Sequence, residues 1–222
     1  MIQIAHRGLS EDCIDNSKEA FEKAIQNGFD MIELDIQLSK DDIIFVYHDT
    51  FIQGFLLKNC TFQEILQMDK NILSLVDFFT MVKSFDIKIY LDLKGYGEDI
   101  CDKLDFILKE ILDKEYISKN VYIGSFNIKN IEKLHLMNEG YNLGVITENL
   151  FPTSIIQHML QMYDIRFFSF HWTVLDDNIS NYLKENGIEI FTYTNKSDNI
   201  LKFIRQKKCI DGIVTNYMIQ DE

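Results

Sequence analysis

The residues able to do chemistry gather near the start of the chain. Ile4-Ala5-His6-Arg7-Gly8 is followed by Asp15-Asn16-Ser17, then by Glu33-Leu34-Asp35, then by Tyr47-His48-Asp49. Imidazoles move protons near neutral pH, paired carboxylates hold hard cations, and an arginine offers a fork for anionic oxygens. Each group stands at the end of a short apolar run, where a parallel sheet or barrel displays its catalytic side chains. The set reads as half of an active site.

The run Ile87 to Leu93 ends in Asp92-Leu93-Lys94-Gly95 and adds a third acid and a second base. Glu33, Asp35 and Asp92 are hard oxygen ligands on neighbouring strands, which suits Mg2+ or Ca2+ and suits zinc poorly. Alone, the Glu-x-Asp pair is more often a solvated rim than a site in a chain of net charge −13. His6 and His48 beside it favour a site. Arg7 and Lys94 could grip phosphate oxygens or form salt bridges to the nearby acids, and the residues leave both readings open.

These side chains need a scaffold. Apolar strands are expected to start near residues 2, 31, 87, 121, 141, 165, 188 and 210, each but the last followed by a helix. In the second strand Glu33 and Asp35 share one face, because strand side chains alternate. The first helix is expected to be capped by Asn16, three residues before Glu19, and stopped by Gly28. Ile43 to Tyr47 reads as the return arm of a hairpin that brings His48 back beside the strand-two acids. A short helix is expected at Phe62 to Met68, another at Leu75 to Phe85. The clearest helical stripe is Ile100, Leu104, Ile107, Leu108, Ile111 and Leu112.

Eight strands alternating with helices predict an α/β fold, a TIM (β/α)8 barrel, with a truncated last helix and a small hairpin after strand 2. An open doubly wound sheet would need a glycine-rich turn after the first strand, and none is there. One domain spanning residues 1–222 is the economical reading. The strand ends are polar throughout: after those named come Ser125, then Thr147 and Glu148, His171, Thr192 and Asn195, and Thr215 and Asn216. Glu148, His171 and Trp172 are candidates to line the mouth. Phe167-Phe168-Ser169-Phe170 reads as core, Met159 and Met162 as helix packing, and Lys207-Lys208 as a solvated turn.

Composition excludes several classes. The acidic balance, with no basic cluster beyond local pairs, argues against a nucleic-acid partner. No apolar run reaches the roughly 18 residues of a membrane span. Cys13, Cys60, Cys101 and Cys209 are widely separated, without metal-finger spacing, and are expected to be free thiols. The chain enters a strand at once, leaving no export signal, so the expected location is cytoplasmic. The expected partner is a small molecule, and oligomeric state is not legible.

Taken in order and at their spacing, His6-Arg7-Gly8, Asp15-Asn16-Ser17, Gly28-Phe29-Asp30, Glu33-Leu34-Asp35 and His48-Asp49 resemble the glycerophosphodiester phosphodiesterase family. Leu91-Asp92-Leu93-Lys94, Gly124-Ser125-Phe126, Phe191-Thr192-Tyr193-Thr194-Asn195 and Asp211-Gly212-Ile213-Val214-Thr215 extend the likeness to residue 216. The resemblance implies a barrel that hydrolyses glycerophosphodiesters to glycerol 3-phosphate and an alcohol with a divalent cation. It assigns Glu33, Asp35 and Asp92 to the metal, His6 and His48 to acid/base catalysis, and Arg7 and Lys94 to the phosphate. A lysophospholipase D or a non-catalytic phosphodiester-binding barrel is the alternative on the same scaffold. The chain departs from the family in carrying Asp at 15 and 92, where Glu is usual, and in lacking the Arg-Thr-Gly segment after His48-Asp49-Thr50. An aspartate arm is shorter by one carbon–carbon bond, about 1.5 Å, so Asp92 is expected to bind through water or to sit on a closer strand. Asp15 is expected to support the site from outside.

Overall fold

The computed structural model describes residues 1–95, 99–137, 139–207 and 209–220. Eleven strands are formed: β1 (Ile2–His6), β2 (Met31–Leu38), β3 (Ile44–Val46), β4 (Phe51–Ile52), β5 (Phe55–Leu56), β6 (Lys88–Leu93), β7 (Val121–Ser125), β8 (Asn142–Thr147), β9 (Ile165–His171), β10 (Glu189–Asn195) and β11 (Gly212–Thr215). Eight of them run parallel in the order β1-β2-β6-β7-β8-β9-β10-β11, and β11 pairs back onto β1, with Ile2 opposite Gly212, to close the barrel. The helices are α1 (Lys18–Gln26), α2 (Phe62–Met68), α3 (Leu75–Val82), α4 (Asp99–Ile111), α5 (Lys114–Asn120), α6 (Ile128–Met137), α7 (Thr153–Met162), α8 (Asp177–Glu185) and α9 (Asp198–Arg205). This is the TIM barrel the alternation predicts.

Strand alternation divides the apolar residues between two layers. Ile4, Met31, Tyr90, Tyr122, Ile146, Phe167, Phe191 and Val214 fill the barrel interior. The Tyr90 and Phe167 rings meet edge to face at 5.2 Å, and Phe167 and Phe191 lie 5.1 Å apart. Aromatic bulk from β6, β7, β9 and β10 leaves no room for a side chain at certain neighbouring positions, which are glycine. Gly144 lies against the Phe167 ring, and a Cβ at Gly124 would stand 2.8 Å from Tyr90. The opposite strand faces join the helices in a larger core, where Ile100, Leu104 and Leu108 of α4 are buried.

β3 pairs antiparallel with β2, Ile36 opposite Val46, which is the expected hairpin. The chain then adds a small β4–β5 hairpin, whose two-residue strands are too short to show alternation in sequence. A further element without an expectation is α5, a two-turn helix capped by Asp113. After β11 the described residues form no helix. Instead Ile219 packs on Leu201, Ile204 and Ile213, and its backbone exchanges two hydrogen bonds with the Gln3 side chain, of 3.0 and 2.9 Å.

Three local expectations are corrected. The α1 cap is Ser17, whose hydroxyl accepts from the Ala20 amide at 3.2 Å; Asn16 sits one residue earlier at φ +57, a conformation asparagine tolerates, and its side chain is used elsewhere. Met162 is half exposed rather than packed, while Met159 does contact the core. Lys207 is tied to Asp177 at 2.8 Å, and Lys208 lies outside the described residues. Phe167, Phe168 and Phe170 are buried, and none of the four cysteines is in a disulfide.

Candidate active site

The C-terminal ends of β1, β2 and β6 meet at the barrel mouth. Register fixes the encounter: His6 lies opposite Glu33, and Asp35 opposite Asp92. The carboxylates of Glu33, Asp35 and Asp92 are buried, and an oxygen from each lies within 4.8 Å of the others. With them, His6, Arg7, His48 and Lys94 line one cavity of 310 Å3. All seven candidate residues named from the sequence therefore share a single space.

Three acids this close would repel one another, and the surrounding groups hold them. Lys94 Nζ lies 2.5 Å from Asp92 Oδ2 and 3.1 Å from Asp35 Oδ1. Arg7 places its Nε 3.1 Å from Asp35 Oδ2, while its Nη1 pairs with Asp15 at 2.9 Å. The Arg7 backbone, at φ +57, donates its amide to Glu33 Oε2 at 2.9 Å. The next residue, Gly8, is also left-handed, and a Cβ there would strike the Ala20 backbone at 2.6 Å. This tight turn aims the Arg7 amide into the acids. Asn16 completes the grip, donating to Asp35 Oδ2 at 2.8 Å and accepting from the Asp35 amide at 3.3 Å.

The cluster's ionisation is uneven. Burial first, and then the charges of Asp35 and Asp92, hold Glu33 well above the usual carboxylate range. Burial likewise raises Asp92, to about 6, against the pull of Lys94. For Asp35 burial acts in the same direction, but Lys94, Arg7, His48 and the Asn16 hydrogen bond outweigh it and hold the group low. Asp92 Oδ1 is buried and has no hydrogen-bond partner among the described residues. An all-oxygen donor set with one orphaned carboxylate oxygen fits a hard divalent cation, which would relieve the repulsion and take up that oxygen. The shorter Asp92 arm reaches the cluster because β6 pairs directly with β2.

The two histidines differ in surroundings. His6 is half-buried, and its Nδ1 donates to Asn216 Oδ1 at 2.7 Å, leaving Nε2 bare. Burial, then the Arg7 charge, push its pKa down to about 4, so it is neutral at pH 7. His48 stands on the more exposed rim with Nδ1 2.7 Å from Asp49 Oδ1.

The far wall of the cavity comes from the other half of the barrel. Phe126 follows β7, Glu148 follows β8, His171 and Trp172 end β9, and Tyr193 lies in β10. Glu148, His171 and Trp172 are thus where the sequence points, whereas Phe126, Tyr193, Tyr90, Ser169 and Lys196 are site residues that sequence alone does not single out. One signal for Ser169 is present, a lone hydroxyl within a run of phenylalanines on a core strand. Other polar strand ends are structural. Ser125 donates to the Leu93 carbonyl at 2.8 Å, Thr192 to the Phe170 carbonyl at 3.1 Å, and Asn195 to Tyr217 at 3.1 Å, tying strands and loops together.

A family model described as the glycerophosphoryl diester phosphodiesterase family matches residues 6–220. A glycerophosphodiester phosphodiesterase of Caldanaerobacter subterraneus subsp. tengcongensis is 26% identical over 234 residues, covering 96% of this chain and 93% of the relative. Among solved structures, a phosphodiesterase of Oleispira antarctica in complex with the product sn-glycerol-3-phosphate superposes with a TM-score of 0.86 at 17% identity, over 98% of this chain and 93% of that one. A glycerophosphodiester phosphodiesterase of Thermotoga maritima gives a TM-score of 0.81 at 25% identity, over 97% and 94%.

Proposed function

This chain belongs to the glycerophosphoryl diester phosphodiesterase family, a family of enzymes, and we propose that it uses a divalent cation and two histidines to hydrolyse glycerophosphodiesters. The products would be glycerol 3-phosphate, which the Oleispira antarctica protein holds as product, and a free alcohol. The observation behind this reading is the buried triad Glu33, Asp35 and Asp92, set between Arg7 and Lys94 and faced by His6 and His48.

Glu33, Asp35 and Asp92 would hold Mg2+ or Ca2+, and the cation, when bound, supplies positive charge to the phosphoryl oxygens. Lys94 and Arg7 keep the acids together and extend that positive field toward the phosphate. His6, neutral and with a bare Nε2, takes the proton from the attacking hydroxyl: water gives glycerol 3-phosphate directly, whereas the substrate's own glycerol hydroxyl gives a cyclic phosphate that a water then opens to glycerol 3-phosphate. His48 gives a proton to the departing alkoxide, and Asp49 orients it through Nδ1. The tight Arg7-Gly8 turn and Asn16 restrict the acids to one arrangement, so little reorganisation is left for the reaction.

The same reading makes residues 1–222 one catalytic domain. Cysteines outside any disulfide are compatible with a reducing compartment, and cytoplasmic placement is part of the proposal. Among the described residues no helix is long and apolar enough to cross a membrane.

Purified protein, incubated with glycerophosphocholine, glycerophosphoethanolamine or glycerophosphoglycerol and Mg2+ or Ca2+, is expected to release glycerol 3-phosphate. No product from any pairing would overturn the proposal. Turnover confined to lysophospholipids would replace it with a lysophospholipase D, and binding without turnover would leave a phosphodiester-binding barrel.

A further inference from the structure

The cavity is chemically divided. The ends of β1, β2, β3 and β6 bring Glu33, Asp35, Asp92, Arg7, Lys94, His6 and His48, and the β7–β10 side brings aromatic rings with one carboxylate, Glu148, and one base, Lys196. Phe126 and Tyr193 meet edge to face at 6.1 Å and 82°. His171 meets Tyr193 at 5.5 Å and 73°, and Trp172 continues the row 5.6 Å from His171. The first two pairs stand near right angles and the third is tilted by 36°, so the rings make an angled wall rather than a flat stack. Phe126 is 49% exposed and not spent on core packing, and Lys94 Nζ lies 5.3 Å from its ring centroid, so one cation already sits against an aromatic ring of this wall.

Glu148 is solvent-exposed at the edge of that wall, unlike the three buried acids. Arg7 and Lys94 are engaged by Asp15, Asp35 and Asp92, whereas among the described residues no cation lies within ion-pair distance of Glu148. Lys196 is the one base that shares the wall, and it is solvent-exposed and not paired with Glu148. Aromatic faces attract cations through their quadrupoles, and a nearby carboxylate adds direct attraction, the combination that holds a quaternary ammonium. Water solvates such a group poorly enough that an apolar wall costs it little.

We propose that the wall of Phe126, Glu148, Trp172 and Tyr193 binds the alcohol end of the substrate and selects alcohols that carry a quaternary ammonium. The inference rests on the phosphodiesterase reading for its substrate, but the wall's preference for a cation can be measured separately. With the phosphate at the acids, His48 and Lys94 lie toward the scissile bond, and the alcohol extends across the 310 Å3 cavity to Glu148.

Two measurements test it. The first compares, on cation-loaded enzyme, glycerophosphocholine with its neutral carbon isostere, the glycerophosphate diester of 3,3-dimethylbutanol. The kcat/KM ratio is expected to favour the choline diester by about tenfold, to fall toward one in Glu148→Gln, and to rise in Lys196→Gln. Equal rates on the two diesters would overturn the proposal, as would a ratio indifferent to Glu148→Gln. The second needs no turnover: Trp172 is the chain's one tryptophan, so its fluorescence reports on the wall. A saturable response to tetramethylammonium, weakened about tenfold in Glu148→Gln and in Phe126→Leu, supports the proposal. No response, or an equal one to 3,3-dimethylbutanol, overturns it. A cation-selective response in a protein that hydrolyses none of the diesters would reject the phosphodiesterase reading and leave the cation-binding wall standing.

Discussion

Asp35 and Asp92 stand directly opposite each other on paired strands, and Lys94 closes on both, 3.1 Å from the first and 2.5 Å from the second. With Glu33 beside them, three clustered carboxylates face two cations, Lys94 and Arg7, and Arg7 is shared with Asp15, so the cluster is under-neutralised and the orphaned Asp92 Oδ1 marks where further positive charge belongs.

Asp92→Asn is expected to abolish stabilisation by Mg2+ or Ca2+ in a thermal melt and to lower turnover by at least about a hundredfold, by removing a ligand of a hard cation. Asp92→Glu, which restores the usual family residue, is expected to lower activity by about tenfold. The site around Asp92 is only 6% exposed and already filled by Lys94, and an extra methylene must displace it. Activity rising in Asp92→Glu would contradict that packing.

Cation binding should depend on pH in a set direction. Glu33 and Asp92 keep their protons in the cation-free fold above the pH at which an unfolded chain loses them, so each contributes stability at low pH that is lost as pH rises through its folded value, about 6 for Asp92. A cation binds the ionised forms and reverses that loss. The rise in Tm on adding Ca2+ or Mg2+ is therefore expected to be small at pH 5 and larger at pH 8, with proton release in calorimetry at pH 6. A pH-independent shift would contradict this ionisation scheme.

The two histidines can be separated by leaving group. A p-nitrophenyl diester of glycerol phosphate needs no protonation of the departing oxygen, so His48→Ala should recover most of its lost rate on that substrate while His6→Ala stays about a hundredfold or more below the parent. The opposite pattern would exchange their roles.

Asn16→Ala tests support at a distance from the reacting atoms. It removes both hydrogen bonds to Asp35 and puts alanine at φ +57, so a loss of about 1–3 kcal/mol in stability is expected together with a tenfold or greater fall in kcat. Asn16→Gly relieves the backbone but not the hydrogen bonds, and should recover stability more than rate.

Gly144→Ala tests the barrel interior. The Phe167 ring occupies the space an alanine Cβ would need, and urea denaturation is expected to show a loss of about 1–3 kcal/mol or more.

Much of this protein is written in local order. The β/α rhythm needs only strand and helix periodicity, which neighbouring residues set, and it places all eight barrel strands within two residues of their observed starts. The Glu33 and Asp35 pairing comes from two-residue alternation along one strand. Contacts between residues distant in sequence leave no such trace. Asn16 has the type and position of a helix cap, and only the approach of β2 turns it toward Asp35. Asn216 lies 210 residues from His6 and meets it because the barrel closes.

The barrel class and the seven residues of the acid–histidine half could be read from residue order, because periodicity and side-chain chemistry are local properties. The division of work among those residues came with folding. Register across β2 and β6 set Asp35 against Asp92, burial unequally shifted their protons, and closure of the barrel brought an aromatic wall with one unpaired carboxylate to face them.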